Sequence, residues 1–282
     1  MTGIRVTHQA CDPGPPGWDT ILPPAPAYPV LEEDGVADWL VIGAGFAGLA
    51  AARRLRQLHP KASIVVLEAR RIAEGPAGRN SGFMIDLPHN LASDDYAGVP
   101  DADCIQTAMN RSAISFADEA ASEYDMGGEA FVVSGKTNAA ASAKGMRHNL
   151  SYAGHLATLG EEHQLLDERQ MQEICGSDYY RSGLYTPGTA MLQPALFVRG
   201  MAAGLTMQGV KVFGNSPVVE LKRAAGAWTA KAGTGSVQSP KVILAVNGHA
   251  ESFGFFKQRL MHVCLYASMT RPLTEDEQRR LG

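Results

Sequence analysis

No run of apolar residues in this 282-residue chain is long enough to cross a bilayer. The most apolar stretch, Val36 to Ala52, is broken by Asp38 and by three glycines and stops at Arg53-Arg54. That falls short of the ~20 apolar residues a spanning helix needs. Cysteine is scarce: the four residues Cys11, Cys104, Cys175 and Cys264 are scattered with no CxxC pair. This excludes a disulfide framework or a thiolate zinc site and suits a reducing compartment. Basic excess is missing too, since 25 Lys and Arg stand against 29 Asp and Glu for a net charge of −4. Nothing then drives nonspecific nucleic-acid binding. The start lacks an apolar signal-peptide core, because residues 1–34 form a proline-rich arm with Pro13, Pro15, Pro16, Pro23, Pro24, Pro26 and Pro29. Together these absences predict a soluble, cytoplasmic protein.

The apolar fraction of 45% is enough for a sizeable core, and the length suggests about two domains. Thirty glycines against three tryptophans point to tight turns rather than an aromatic-heavy sandwich. Residues 37–42 read as a buried strand, 45–58 as a helix with Ala51, Leu55 and Leu58 on one face, and 64–67 as a second strand. A strand–helix–strand unit of this length pairs its strands in parallel. Residues 70–100 read as a long irregular loop, of the kind that is often functional.

Further helices are expected over 103–124 (face Ile105, Met109, Ser112, Phe116), near 146–160 (face Met146, Leu150, Ala153, Ala157) and from Pro194 (face Val198, Met201, Ala202, Leu205). Strands are expected at 131–133, 210–213, 217–222, 228–232 and 241–246, and near 262–271. Thr274 to Glu277 spells a capping box for a short last helix. The fold class is α/β, a Rossmann-like domain interleaved with a mixed-sheet domain. The division is 1–34 arm, 35–100 dinucleotide-binding core, 101–195 helices and start of a substrate domain, 196–250 return to the first domain, and 251–282 substrate-domain strand and helix.

Gly43-Ala44-Gly45-Phe46-Ala47-Gly48 is GxGxxG, and it sits between the first strand and the helix, the context that gives the pattern meaning. Gly43 allows the tight turn, Gly45 lets a pyrophosphate approach the backbone, and Gly48 with Ala52 allows close helix–strand packing. The helix N-terminus offers unpaired N–H groups to phosphate oxygens. Glu68 lies twenty residues beyond Gly48, placed to accept from ribose hydroxyls and to repel a 2′-phosphate. FAD and NAD share this adenosine end, so the fingerprint leaves both open. The segment Gly75-Pro76-Ala77-Gly78-Arg79-Asn80-Ser81-Gly82 reads equally as a loop whose backbone approaches a flat ring or a pyrophosphate or as a solvated surface loop.

Together the fingerprint, Leu67-Glu68-Ala69-Arg70-Arg71-Ile72 and Gly78-Arg79-Asn80-Ser81-Gly82 resemble the D-amino-acid oxidase superfamily of FAD enzymes, and within it the γ-glutamylputrescine oxidase group. The resemblance implies FAD as cofactor, Ala69 and Arg70 beside the ribose acid, and the 78–82 loop near the flavin. It also implies that Val218-Val219 border the adenine and that Ala245, Asn247 and Gly248 lie near the flavin phosphates. Gln193 stands before Pro194 where relatives commonly carry His. The implied chemistry is oxidation of a C–N bond in a small amine or amino acid by hydride transfer to flavin. Since a neutral amine can release hydride without a protein base, no catalytic residue stands out; His89, His262 and Tyr266 are polar candidates for the pocket.

The family pattern continues beyond the point where this chain stops, so a fragment, or a subunit completed by a second polypeptide, is the rival expectation. On that expectation the strand near 262–271 is left unpaired and FAD is held weakly. An NAD-linked dehydrogenase is the third reading. No HxH, HExxH or GxSxG pattern supports metal or hydrolase chemistry. His148 and His155 are expected at the surface, and Arg53-Arg54 and Arg70-Arg71 on solvated faces.

Overall fold

The structure is a computed structural model describing residues 3–8, 14–90, 93, 96–263 and 267–281. It divides into two units, one of residues 1–81, 120–130 and 193–267, the other of residues 82–119, 131–192 and 268–282.

In the first unit, strands Trp39–Ile42, Ile64–Leu67, Lys211–Phe213 and Val242–Leu244 form a parallel sheet in the order 211–213, 64–67, 39–42, 242–244. Trp39 pairs with Ile64 and Ile42 with Leu67, as the strand–helix–strand reading requires. Side chains alternate between faces of a strand. Leu40, Ile42, Val65 and Leu67 accordingly join a core with Val218, Leu221, Ala230 and Val237. These last four come from a second sheet, the meander Val218–Ala224, Ala227–Ala232 and Gly235–Ser239, flanked by Ile4–Arg5 and Gly35–Val36.

The helix Phe46–Leu58 lies against strands 39–42 and 64–67. Its buried face is Gly48, Leu49, Ala52, Arg53 and Leu55, whereas Leu58 is exposed, so the apolar stripe is rotated from the expected one. Arg53 is 2% exposed, not solvated, because its Nε and Nη2 both donate to Glu123 Oε2, at 2.9 and 2.7 Å. Replacing Arg53 with Ala should lower the stability of this unit by roughly 1.5–3 kcal/mol, the range for charge-assisted hydrogen bonds. A chemical denaturation midpoint equal to wild type would show that the pair contributes nothing. Arg70 is likewise tied down, to Glu74; Arg71 is half exposed and also meets Glu74, at 3.1 Å.

The helix Pro194–Met207 buries Val198, Met201, Ala202 and Leu205 as expected. The arm is less extended than its prolines suggest. Ile4–Arg5 pairs with strand 218–224, and Gly17–Thr20 makes a helical turn. Among the described residues of 262–271 no strand forms. Thr274 does open the last helix, Glu275–Leu281, its N–H donating to Glu277 Oε2 at 2.8 Å.

The second unit holds two antiparallel sheets, Phe83–Met84 with Ala190–Leu192 and Phe131–Val133, and Lys136–Ala140 with Ser182–Thr186 and Gln164–Leu166. The long helix Pro100–Glu123 turns Ile105 and Met109 outward and buries Asp103, Thr107, Ile114 and Ala117, the reverse of the hydropathy reading. Asp103 is buried because Oδ2 accepts from the Gly98 N–H at 3.1 Å and lies 2.8 Å from His155 Nε2. The helix Ala143–Leu159 buries Asn149, Tyr152, Ala153 and Leu156 and exposes Leu150, shifting its face by about one residue. His155 and His148 are therefore half-buried rather than superficial, His148 meeting the Tyr96 ring edge-on at 4.2 Å. No described helix is long and apolar enough to cross a membrane.

Candidate dinucleotide site

The carboxyl ends of the parallel strands gather the expected cofactor residues. Beyond Ile42 the chain turns at Gly43, whose N–H donates to Leu67 O at 2.8 Å. Beyond Leu67, the Glu68 N–H donates to Phe213 O at 2.8 Å, and beyond Leu244 the Ala245 N–H donates to Ile42 O at 2.8 Å. Three turns therefore leave one sheet edge carrying Gly43–Gly48, Glu68–Arg70 and Ala245–Gly248. This is the edge at which open α/β sheets bind ligands.

The three glycines of the fingerprint differ in what surrounds them. Gly43 has φ +101°, and a Cβ there would overlap the Ala245 carbonyl oxygen. A Cβ on Gly48 would overlap the Gly43 carbonyl oxygen. Those two glycines close the turn upon itself. Gly45 caps the helix in extended backbone, and a Cβ there would meet only Ala77 Cβ, at 3.4 Å. Open space thus lies beside the Gly45 backbone. Leu49 N–H is the first to bond back into the helix, to Gly45 O, so the Phe46, Ala47 and Gly48 N–H groups precede the helical ladder.

Glu68 faces this turn. Its Oε2 accepts from the Ala44 N–H at 2.8 Å and its Oε1 from the Arg70 N–H at 3.1 Å. Burial pushes the Glu68 carboxyl up, against the opposing pull of the Ala44, Arg70 and Ala69 N–H groups. A carboxylate has about four lone-pair sites, so these bonds leave acceptor capacity for a ligand hydroxyl.

Gly78 closes the 3-10 turn Pro76–Gly78, and a Cβ there would overlap Ala73 O. Arg79 donates from Nε to Glu74 O at 2.8 Å, and Asn80 from Nδ2 to Ala77 O at 2.8 Å. Ser81 is exposed and ends the first unit; Gly82, with φ +81°, begins the second. Val218 is turned into the core, and the Val219 carbonyl accepts from the Val6 N–H at 3.0 Å. Asn247 has φ +50° and is exposed. A Cβ on Gly248 would press on the His262 ring, whose Nε2 is 3.1 Å from Glu251 Oε2. Of the expected pocket residues, His262 thus sits over the Gly248 turn in the first unit, and Tyr266 lies outside the described residues.

His89 belongs to the second unit. Its Nε2 is 2.6 Å from Lys136 Nζ, and it lines an open cleft of about 620 Å³ with Asn90, Asp103, Gln106 and Asn110. Burial, with Lys136 beside it, pushes His89 down to about 4, and burial pushes Lys136 down to about 8. A histidine depressed in the fold contributes stability that is complete above its ordinary value near 6.5 and lost as pH falls toward about 4. His89→Phe should flatten the melting temperature between pH 6.5 and 4. An acid slope unchanged from wild type would place that loss elsewhere.

Sequence reasoning missed three features: the seating of Trp18 and Asp19 in the first unit, the Lys136–His89 contact and the Asp103–His155 pair. A tryptophan inside a proline-rich arm was the one available signal. Among the described residues no group of three or more His, Cys, Asp or Glu could hold a metal ion.

The pattern of the DAO family, described as FAD dependent oxidoreductase, matches residues 38–282. The chain is 29% identical over 228 residues to a Haemophilus influenzae protein called "Probable oxidoreductase OrdL", covering 79% of this chain and 52% of that protein. It is 24% identical to Gamma-glutamylputrescine oxidoreductase of Escherichia coli, covering 79% and 51%. The chain therefore spans about half the length of these curated relatives. Among solved structures, glycine oxidase from Geobacillus kaustophilus shares the fold with a TM-score of 0.65 at 15% identity, covering 78% of this chain and 57% of that one. Strand–turn–helix geometry, the acid after the second strand and a family match over most of the length agree: the chain belongs to the DAO family of FAD dependent oxidoreductases.

Proposed function

We propose that this protein takes part, with bound FAD, in oxidising a C–N bond of a small amine or amino acid. The observation that carries the reading is the open backbone at Gly45 beside the half-buried Glu68 carboxylate, on the carboxyl edge of a parallel sheet. A group pressed against the chain fits there, and Gly43 and Gly48 leave no such space. The Phe46, Ala47 and Gly48 N–H groups would receive the pyrophosphate, and Glu68 the ribose hydroxyls. Ala69, Arg70, the 78–81 segment, Val218, Val219, Ala245, Asn247 and Gly248 would border the rest of the cofactor. Bound FAD supplies the electron sink for hydride leaving the carbon next to nitrogen.

The chain's own contribution is to bind, orient and desolvate. Its kinship with an E. coli γ-glutamylputrescine oxidoreductase supports an amine as substrate. The purified chain, titrated with FAD and followed by absorbance, should acquire a bound-flavin spectrum, and anaerobic addition of an amine panel should bleach it. A chain that binds no FAD, or that instead quenches and shifts NADH fluorescence on titration, overturns the reading.

A further inference from the structure

The first unit contains a structure that the cofactor fingerprint does not require. Residues 14–23 of the arm are fastened by five hydrogen bonds and one ion pair to the segment following Glu68 and to the helix Pro194–Met207 with its cap. Arg79 Nη2 donates to Gly14 O at 2.6 Å. Trp18 Nε1 donates to Asn80 O at 2.8 Å. Gln193 accepts from the Leu196 N–H at 2.7 Å to cap its helix, and its other end donates from Nε2 to Trp18 O at 3.2 Å. Arg199, 8% exposed, donates from Nη1 to Pro23 O at 2.8 Å and from Nη2 to Asp19 Oδ1. The outer oxygen of Asp19 lies 4.0 Å from Arg71 Nη2.

Both residues following Gly78 are thus held by the arm and not only by their own turn. Arg79 is stretched between Glu74 O on one side and Gly14 O on the other. The Asn80 carbonyl is turned to the indole, which leaves its side chain to fasten Ala77. Ala77 Cβ is the atom that a Cβ on Gly45 would meet, at 3.4 Å. A chain of contacts therefore runs from the arm through Asn80 and Ala77 to the turn that would receive the pyrophosphate.

We infer that residues 14–23 are a strap that sets the position of the Ala77–Asn80 segment at the cofactor site, with Trp18 and Asp19 as positioning residues. Trp18 fixes the segment through its N–H, and Asp19 holds the strap down through buried Arg199. A carboxylate is needed at Asp19 because a buried guanidinium without its counter-charge destabilises whatever it packs against. The inference rests on the FAD reading above for its ligand, but not for its mechanics.

The test uses the whole chain and two conservative variants, Trp18→Phe, which keeps the ring and loses the N–H, and Asp19→Asn, which loses the charge. Hydrogen exchange of the Gly78 and Arg79 amides, read without FAD, should quicken about tenfold in both variants, the change one lost bond of this kind allows. Amides of the parallel sheet should not change. The dissociation constant for FAD, from fluorescence titration, should rise about tenfold, and Asp19→Glu should recover most of the loss. Wild-type exchange at Gly78 and Arg79 in both variants overturns the strap. Quickened exchange with unaltered FAD affinity overturns its positioning role. A wild-type chain that binds no FAD overturns the cofactor reading and with it that role, and is told apart because the exchange measurement needs no cofactor.

Discussion

Gly48→Ala should unfold the first unit or lower its melting temperature by roughly 6–12 °C, whereas Gly45→Val should fold as wild type and bind no FAD. The two substitutions lie three residues apart in one motif, and their opposite consequences follow from what each new Cβ would meet. At Gly48 it would overlap the Gly43 carbonyl oxygen, a backbone atom that cannot move without opening the turn. Overpacking against side chains costs about 1–3 kcal/mol, and here no rotamer change relieves it, so roughly 3 kcal/mol is the expected loss. For a unit of this size each kcal/mol moves the midpoint by roughly 2–4 °C. At Gly45 the backbone is extended, φ −84° and ψ −171°, a conformation valine adopts freely, and Ala77 stands at ordinary contact distance. The isopropyl group then fills the open space beside Gly45, where the proposed reading puts the pyrophosphate. Thermal melts without FAD and fluorescence titration with it separate the two effects. A Gly45→Val protein that still binds FAD would remove the fingerprint from the cofactor site, and a Gly48→Ala protein with wild-type melting would show that the turn relaxes.

The difference between these glycines marks where the sequence is legible. GxGxxG between two apolar runs announces a strand, a turn and a helix, because only a small set of backbone paths joins them. The motif already gives each glycine its part, but the space each one has depends on Ala245 and Ala77, which are distant in sequence, and so becomes visible only in the folded unit. The helix faces follow the same division. Pro194–Met207 is apolar enough that Val198, Met201, Ala202 and Leu205 could face nowhere else. Pro100–Glu123 is not: Ile105 and Met109 suggest one stripe, and Asp103 buries the opposite one because His155 and the Gly98 N–H satisfy it.

Strands as short as Phe83–Met84 and Ala190–Leu192 carry too few residues for a period to show. The helix Glu168–Cys175, absent from the sequence reading, did carry a local signal, the capping box of Asp167 and Gln170. The seat of Trp18 and Asp19 had no signal beyond the tryptophan itself, since Asn80 and the capped helix carrying Gln193 and Arg199 are two segments distant in sequence from the arm.

Glu68→Ala should weaken FAD binding ten- to a hundredfold and also destabilise the FAD-free unit, a double effect that a residue serving the ligand alone would lack. The carboxylate accepts from the Ala44 and Arg70 N–H groups. Removing it strands two partly buried donors at about 1–3 kcal/mol each. Loss of a charge-assisted bond to a ribose hydroxyl adds roughly 1.5–3 kcal/mol in the complex alone. The charge state sharpens the test. Burial raises the carboxyl above its ordinary value, so between the unfolded and the folded values the folded chain holds a proton there that the unfolded chain has released. For an acid shifted in that direction, this contribution to stability is full below the unfolded value and lost as pH rises through the folded one. Glu68→Gln, which cannot titrate, should therefore remove a decline in stability that wild type shows as pH rises above the usual carboxylate range. Bound FAD should shrink the same decline in wild type, because ribose hydroxyls donating to the ionised carboxylate oppose the effect of burial. Denaturant midpoints measured across that range, with and without FAD, check both statements. Wild-type FAD affinity in Glu68→Ala would leave the carboxylate as a brace for the turn only. An identical pH slope in Glu68→Gln would show that some other group titrates there.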